Sequence, residues 1–174
     1  METRRKKTRR LAICAILSAL GVVILYLGAL VEVLGLSVAA IASLLCVLAV
    51  LEMGGAWPWL IYFVVAILSL VLLPVKSAAV IFALFAGYYP ILKAYYERLR
   101  PIVSWILKMV NFNVALAVLL WLSLLFTPEA VAPILVVAMV FLGNAFFVLY
   151  DIALTRLISM YLRKLRGRLG IKKW

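Results

Sequence analysis

The side chains able to do chemistry are few and widely spaced. There are six acids and no histidine, which removes imidazole acid–base catalysis, the HExxH zinc site, the Ser–His–Asp triad and haem ligation by histidine. Cys14 and Cys46 lie inside apolar runs at no disulfide or metal spacing, and read as small buried hydrophobes. What remains is a short set of polar groups within or beside apolar stretches: Lys108 and Asp151, the amides Asn111, Asn113 and Asn144, the run Gly87-Tyr88-Tyr89-Pro90, and the charges Glu32, Lys76 and Glu129. No acids pair at a productive spacing and no Gly-x-Ser-x-Gly occurs. The chain is therefore not expected to be an enzyme, and no catalytic residue, metal site or cofactor is assigned.

The elements that must position these groups follow from composition. Of 174 residues, 69% are hydrophobic and 14% charged, with a mean hydropathy of +1.24. A soluble domain holds about 45–50% apolar and about 25% charged residues, so the chain belongs in lipid. Six apolar runs each approach the roughly 20 residues of a bilayer span: Leu11 to Val31, Leu36 to Leu51, Trp57 to Leu73, Ala78 to Tyr96, Ile102 to Phe126 and Val131 to Leu157. Pro58 fits the first helical position of span three, and Pro90 falls inside span four, where it is expected to kink the helix. The first run exceeds the 7–15 apolar residues of a signal-peptide core and reads as a retained span. The expected fold is an all-α polytopic membrane protein, a compact bundle of six transmembrane helices. Residues 1–10 form a basic amino-terminal segment, 11–157 the transmembrane domain and 158–174 a basic tail.

Eighteen Lys and Arg against six acids give a net charge of +12. The basic residues flank spans and lack the interleaved aromatics of a nucleic-acid surface, so no nucleic-acid partner is expected. They report orientation instead. With the amino terminus inside, Lys76 alone lies at an outer turn, and the other seventeen fall at inner ends. Both termini are thus placed in the cytoplasm, with the terminal clusters against anionic lipid.

Charges and amides inside a span are functional candidates by default. With span midplanes near Ala115 and Asn144, Lys108 and Asp151 lie at similar depths, each about 10 Å inward. They are candidates for an intramembrane ion pair, the alternative being a snorkelling Lys108 and an Asp151 that meets Arg156 or the tail. Asn111, Asn113 and Asn144 lie nearer the centre. They act either as hydrogen-bonding glue between helices or, for Asn113 and Asn144 beside Gly143, as part of a substrate cavity. Tyr88 and Tyr89 either line a pocket at the kink or join an aromatic belt with Tyr95 and Tyr96. Lys93 and Glu97, four apart, suit pairing on one helix face. Glu32, Lys76 and Glu129 end three helix pairs on the outer side, where they either hold a polar solute or are solvated turn residues. In the first span Ala12, Ala15, Ser18 and Ala19 recur at spacings of three and four, a strip of small residues against which another helix can pack closely.

Several of these features together resemble the substrate-binding S components of energy-coupling-factor (ECF) transporters. The residues that carry the resemblance are Thr8-Arg9-Arg10-Leu11-Ala12 through Ala19-Leu20-Gly21, with Ala15-Ile16-Leu17-Ser18-Ala19 as the Ala-x-x-x-Ala strip. The resemblance implies a bacterial or archaeal protein of the cytoplasmic membrane that captures a small, vitamin-like solute from outside. It also implies docking, through Ala15 and Ala19, on a transmembrane coupling protein driven by two cytoplasmic ATPases. The other reading is a non-transporting membrane subunit that packs against or scaffolds partner proteins.

Overall fold

The computed structural model describes residues 2–30, 34–126 and 133–165. Every element among them is helical: α1 Glu2–Ala29, α2 Gly35–Glu52, α3 Trp57–Leu72, α4 Ser77–Ile81, a π-turn over Phe82–Ala86, α5 Tyr89–Tyr96, α6 Pro101–Phe126, α7 Pro133–Met160 and a last π-turn over Tyr161–Leu165. Among the described residues, five stretches are long and apolar enough to cross a bilayer: Lys7–Ala29, Gly35–Glu52, Ser77–Tyr96, Pro101–Ser123 and Ile134–Arg163. α3 is apolar but shorter, at 16 residues. Large side chains such as Ile16, Phe63, Val71, Ile102 and Phe141 are exposed on these helices. That much bare apolar surface suits lipid and not water. The chain is an all-α polytopic membrane protein.

Local chemistry explains where the helices end. α2 stops at Met53, where Gly54 and Gly55 both take φ of +61°, the left-handed conformation that glycine adopts at a helix end without steric penalty. Pro58 sits in the first turn of α3, where its missing N–H costs no helical bond. Leu73 closes α3 with ψ of 135°, the extended conformation forced on a residue before proline, here Pro74. At the amino end the helix extends further than the apolar run. Residues 2–10 form the first turns of α1, because Arg and Lys are good helix formers and no breaker separates them from Leu11.

The chain divides into two compact units, the first ending at Arg100 and the second beginning at Pro101. In the first unit α1, α2, α3, α4 and the first π-turn share a core that includes Cys14, Leu25, Ala42, Cys46, Ile61, Val65 and Phe82. α1 meets α2 through small residues about a heptad apart. Cys14 Sγ lies 3.9 Å from Met53 Sδ, a Cβ on Gly21 would stand 3.5 Å from Leu45, and one on Gly28 would overlap Val38. As α1 advances by sevens, its contacts on α2 step back by a similar number, the pattern of an antiparallel pair packed knobs-into-holes.

The second unit is the α6–α7 hairpin. Phe112 and Phe147 stack with centroids 4.6 Å apart and planes within 11°. Lys108 faces Asp151, and Gly143 faces Phe112 and Leu116. Each advance of four along α6 is matched by a retreat of four along α7, which fixes the register of the hairpin.

Candidate functional site

The structure brings together two of the polar pairs singled out from the sequence, both within the α6–α7 hairpin. Lys108 Nζ donates to Asp151 Oδ2 at 3.1 Å, and both side chains are buried. The ammonium also lies 5.5 Å from the Trp105 ring centroid, within range of a cation–π attraction. Thr155 Oγ1 donates to the Asp151 carbonyl at 2.9 Å. One helical turn separates this pair from the Phe112–Phe147 stack, so the charges sit in a seam closed by aromatic rings.

Asn113 and Asn144 form a reciprocal amide pair. Asn113 Nδ2 donates to Asn144 Oδ1 at 3.0 Å, and Asn144 Nδ2 donates to Asn113 Oδ1 at 3.1 Å. Each Nδ2 spends its second hydrogen on the carbonyl four residues back, Met109 for Asn113 and Val140 for Asn144, both at 2.9 Å. All four amide hydrogens are committed inside the hairpin, leaving only acceptor capacity for a ligand. The arrangement joins the two helices of the hairpin. A double-mutant cycle of Asn113→Ala and Asn144→Ala is expected to give a coupling of about 0.6 kcal/mol, the mean for such bonds in membranes. Zero coupling in unfolding experiments would show that the pair does not hold the hairpin. Nearby, Asn111 Oδ1 is buried and accepts no hydrogen bond among the described residues.

Lys76 folds back on the end of α3, donating to the Leu73 carbonyl at 2.5 Å and reaching the Val71 carbonyl at 3.4 Å. A cation there complements the negative end of the helix dipole. Glu32 and Glu129 lie outside the described residues. Tyr89 is fully buried against Phe85, centroids 4.9 Å apart, while Tyr88 is half-buried and meets Tyr62 edge-on at 6.0 Å. Lys93 and Glu97 pair at 3.0 Å on one face of α5.

Pro90 does not kink a continuous helix. It lies in the first turn of α5, and the interruption precedes it as the π-turn. Sequence reasoning passed over Tyr62, whose hydroxyl donates to the Ala83 carbonyl at 2.7 Å. The available clue was a hydrogen-bonding ring in the otherwise apolar run Trp57 to Leu73.

The small residues of α1 separate onto two faces. Ala12, Ala15 and Ala19 are exposed, together with Ile16, Leu20 and Val23. Ser18 does not share that face. It is 3% exposed and lies on the inward side with Cys14, Gly21 and Leu25. Its Oγ has no hydrogen-bond partner among the described residues, unlike the other two buried serines of this unit, Ser43 and Ser69, which donate to carbonyls three residues back.

Fold and polar groups together define a polytopic helical membrane protein in which the Lys108–Asp151, Asn113–Asn144 and Tyr62–Ala83 contacts join neighbouring helices. No protein-family model, curated protein or solved structure matches the chain.

Proposed function

We propose that the protein is a docking subunit of a membrane assembly, presenting the outer face of α1 to a transmembrane partner. The observation that carries this reading is the exposure of Ala12, Ala15 and Ala19 on a helix whose opposite face, Cys14-Ser18-Gly21-Leu25, is already packed. In lipid, helices associate by close van der Waals fit, and a face with small side chains lets a partner backbone approach. The distribution of Lys and Arg supports a placement in the cytoplasmic membrane with both ends of the chain inside and the basic termini against anionic lipid.

The resemblance to S components would make the partner a coupling protein driven by two ATPases and give the subunit a small solute to deliver. The commitment of Asn113, Asn144 and Lys76 to intrachain hydrogen bonds favours the second reading, a subunit that scaffolds its partners without carrying a solute. Both readings require the α1 face. Ala15→Trp combined with Ala19→Trp is expected to abolish co-purification of the partner from detergent-solubilised membranes while the chain still inserts. Undiminished co-purification would reject the docking role.

A further inference from the structure

We infer that span four, from Ser77 to Tyr96, is a two-register switch latched by the Tyr62 hydroxyl. The carbonyl of Ala83 stands at the junction. In an unbroken α-helix it would accept the Gly87 N–H. Here the Gly87 N–H reaches one residue further back, to the Phe82 carbonyl at 2.8 Å, and Tyr62 Oη from α3 donates to the Ala83 carbonyl at 2.7 Å. In the π register the Ala83 carbonyl loses its helical donor, and the Tyr62 hydroxyl of the neighbouring helix supplies one in its place. A carbonyl left without a donor in lipid is costly, so the wide turn persists only while Tyr62 supplies the bond.

The surrounding residues are shaped for this arrangement. The Tyr62 ring lies 6.3 Å from Phe82 and 6.0 Å from Tyr88, centroid to centroid. It reaches the turn because residue 87 has no side chain: a Cβ there would stand 2.7 Å from both the Tyr62 and the Phe82 rings. Pro90 has no N–H with which to carry helical bonding across the break. α5 starts afresh, with the N–H groups of Ile91 and Leu92 both donating to the Tyr88 carbonyl at 3.0 and 3.1 Å. The segment beyond Gly87 is therefore tied to the turn before it through few backbone bonds and can change register as a body.

Releasing Tyr62 lets the Gly87 N–H take the Ala83 carbonyl. The turn becomes α-helical, and everything after it advances by one residue, about 100° around the axis. Lys93, 1% exposed, then moves to the half-buried position of Ala94, and Leu92 takes its place. The switch thereby couples a hydroxyl on α3 to the placement of a buried cation on α5. π-turns inside helices recur at functional sites, and this inference is independent of the docking role of α1.

The test is solid-state NMR of the full chain in phospholipid vesicles, with 13C carbonyls at Phe or Ala and 15N at Gly. The native protein is expected to show the Gly87 N–H bonded to the Phe82 carbonyl, and Tyr62→Phe to lose that contact and gain one to Ala83. Retention of the Phe82 bond in Tyr62→Phe would overturn the latch. Should Tyr62→Phe fail to fold, deletion of Leu84 removes the extra residue of the turn and with it the need for the hydroxyl. Tyr62→Phe is then expected to fold in the Leu84-deleted chain. An equal defect with and without Leu84 would also overturn the proposal.

Discussion

Asp151→Asn is expected to destabilise the protein by about 3–5 kcal/mol, the cost of leaving one partner of a buried ion pair without its counter-charge. The effect is large because Lys108 Nζ is held at 3.1 Å from Asp151 Oδ2 with both side chains buried, about 10 Å along α6 from Pro101. Water cannot take over the lost contact there as it would at a surface. Lys108→Met alone leaves the carboxylate in the same position and is expected to cost a similar amount. Combining the two removes both charges and recovers most of the loss, since buried pairs replaced by neutral side chains are often near neutral in stability. Thermal unfolding of the four proteins in one detergent reads the cycle. Additive losses in the double variant would mean that the two charges do not depend on each other.

The second large effect belongs to the glycines of α1. Gly28→Ala places a methyl group inside the volume of the Val38 side chain, and overpacking of this kind costs about 1–3 kcal/mol. Val38 is β-branched on a helix and has little freedom to rotate away, so α1 and α2 must separate. Val38→Ala in the same chain is expected to restore stability. The graded contacts of two other glycines provide controls. A Cβ at Gly21 would meet Val65 at 3.0 Å, a tight but adjustable approach, whereas one at Gly143 would meet Leu116 at an ordinary 3.4 Å. Thermal stability should fall in the order Gly143→Ala, Gly21→Ala, Gly28→Ala, with Gly143→Ala near the native protein. Equal losses at Gly28 and Gly143 would show that the close α1–α2 approach does not limit stability.

Much of this architecture was legible in the residues because lipid imposes simple rules. Apolar run length placed most described helix ends to within a few residues, although α1 begins at Glu2, well before its run, and Pro58, Gly54 and Pro74 marked helix ends through backbone restrictions that hold in any environment. Lys108 and Asp151 could be matched by depth alone, since antiparallel neighbours with a short turn bring residues at equal depth together. The faces of α1 were harder to read. Ser18 stands about 60° from Ala15 and about 100° from Ala19 on the helical wheel, close enough to seem part of one strip, yet the packed arc centred on Cys14, Gly21 and Leu25 takes it inward. Small side chains serve an internal seam and an external docking face equally well, so only the positions of α2 and α3 decide. The π-turn was illegible for a different reason. A π-turn takes up one residue more than α register would, and no residue type marks it. Proline at position 90 was the visible irregularity, although the turn precedes it. Tyr62, the group that completes the turn, lies in another helix, 21 residues earlier in sequence.

The Lys108–Asp151 contact also has a consequence for how the chain is made. The two residues are 43 positions apart, and at about 5–20 residues per second of synthesis Lys108 enters the insertion machinery about 2–9 seconds before Asp151 exists. A lone ammonium opposes transfer into lipid by about 2.5–3.5 kcal/mol at the centre of a helix on the insertion scale, and by less at the depth of Lys108. Insertion of α6 together with α7 as one hairpin is therefore expected to be favoured over insertion of α6 alone, because the pair enters with its charges already neutralised.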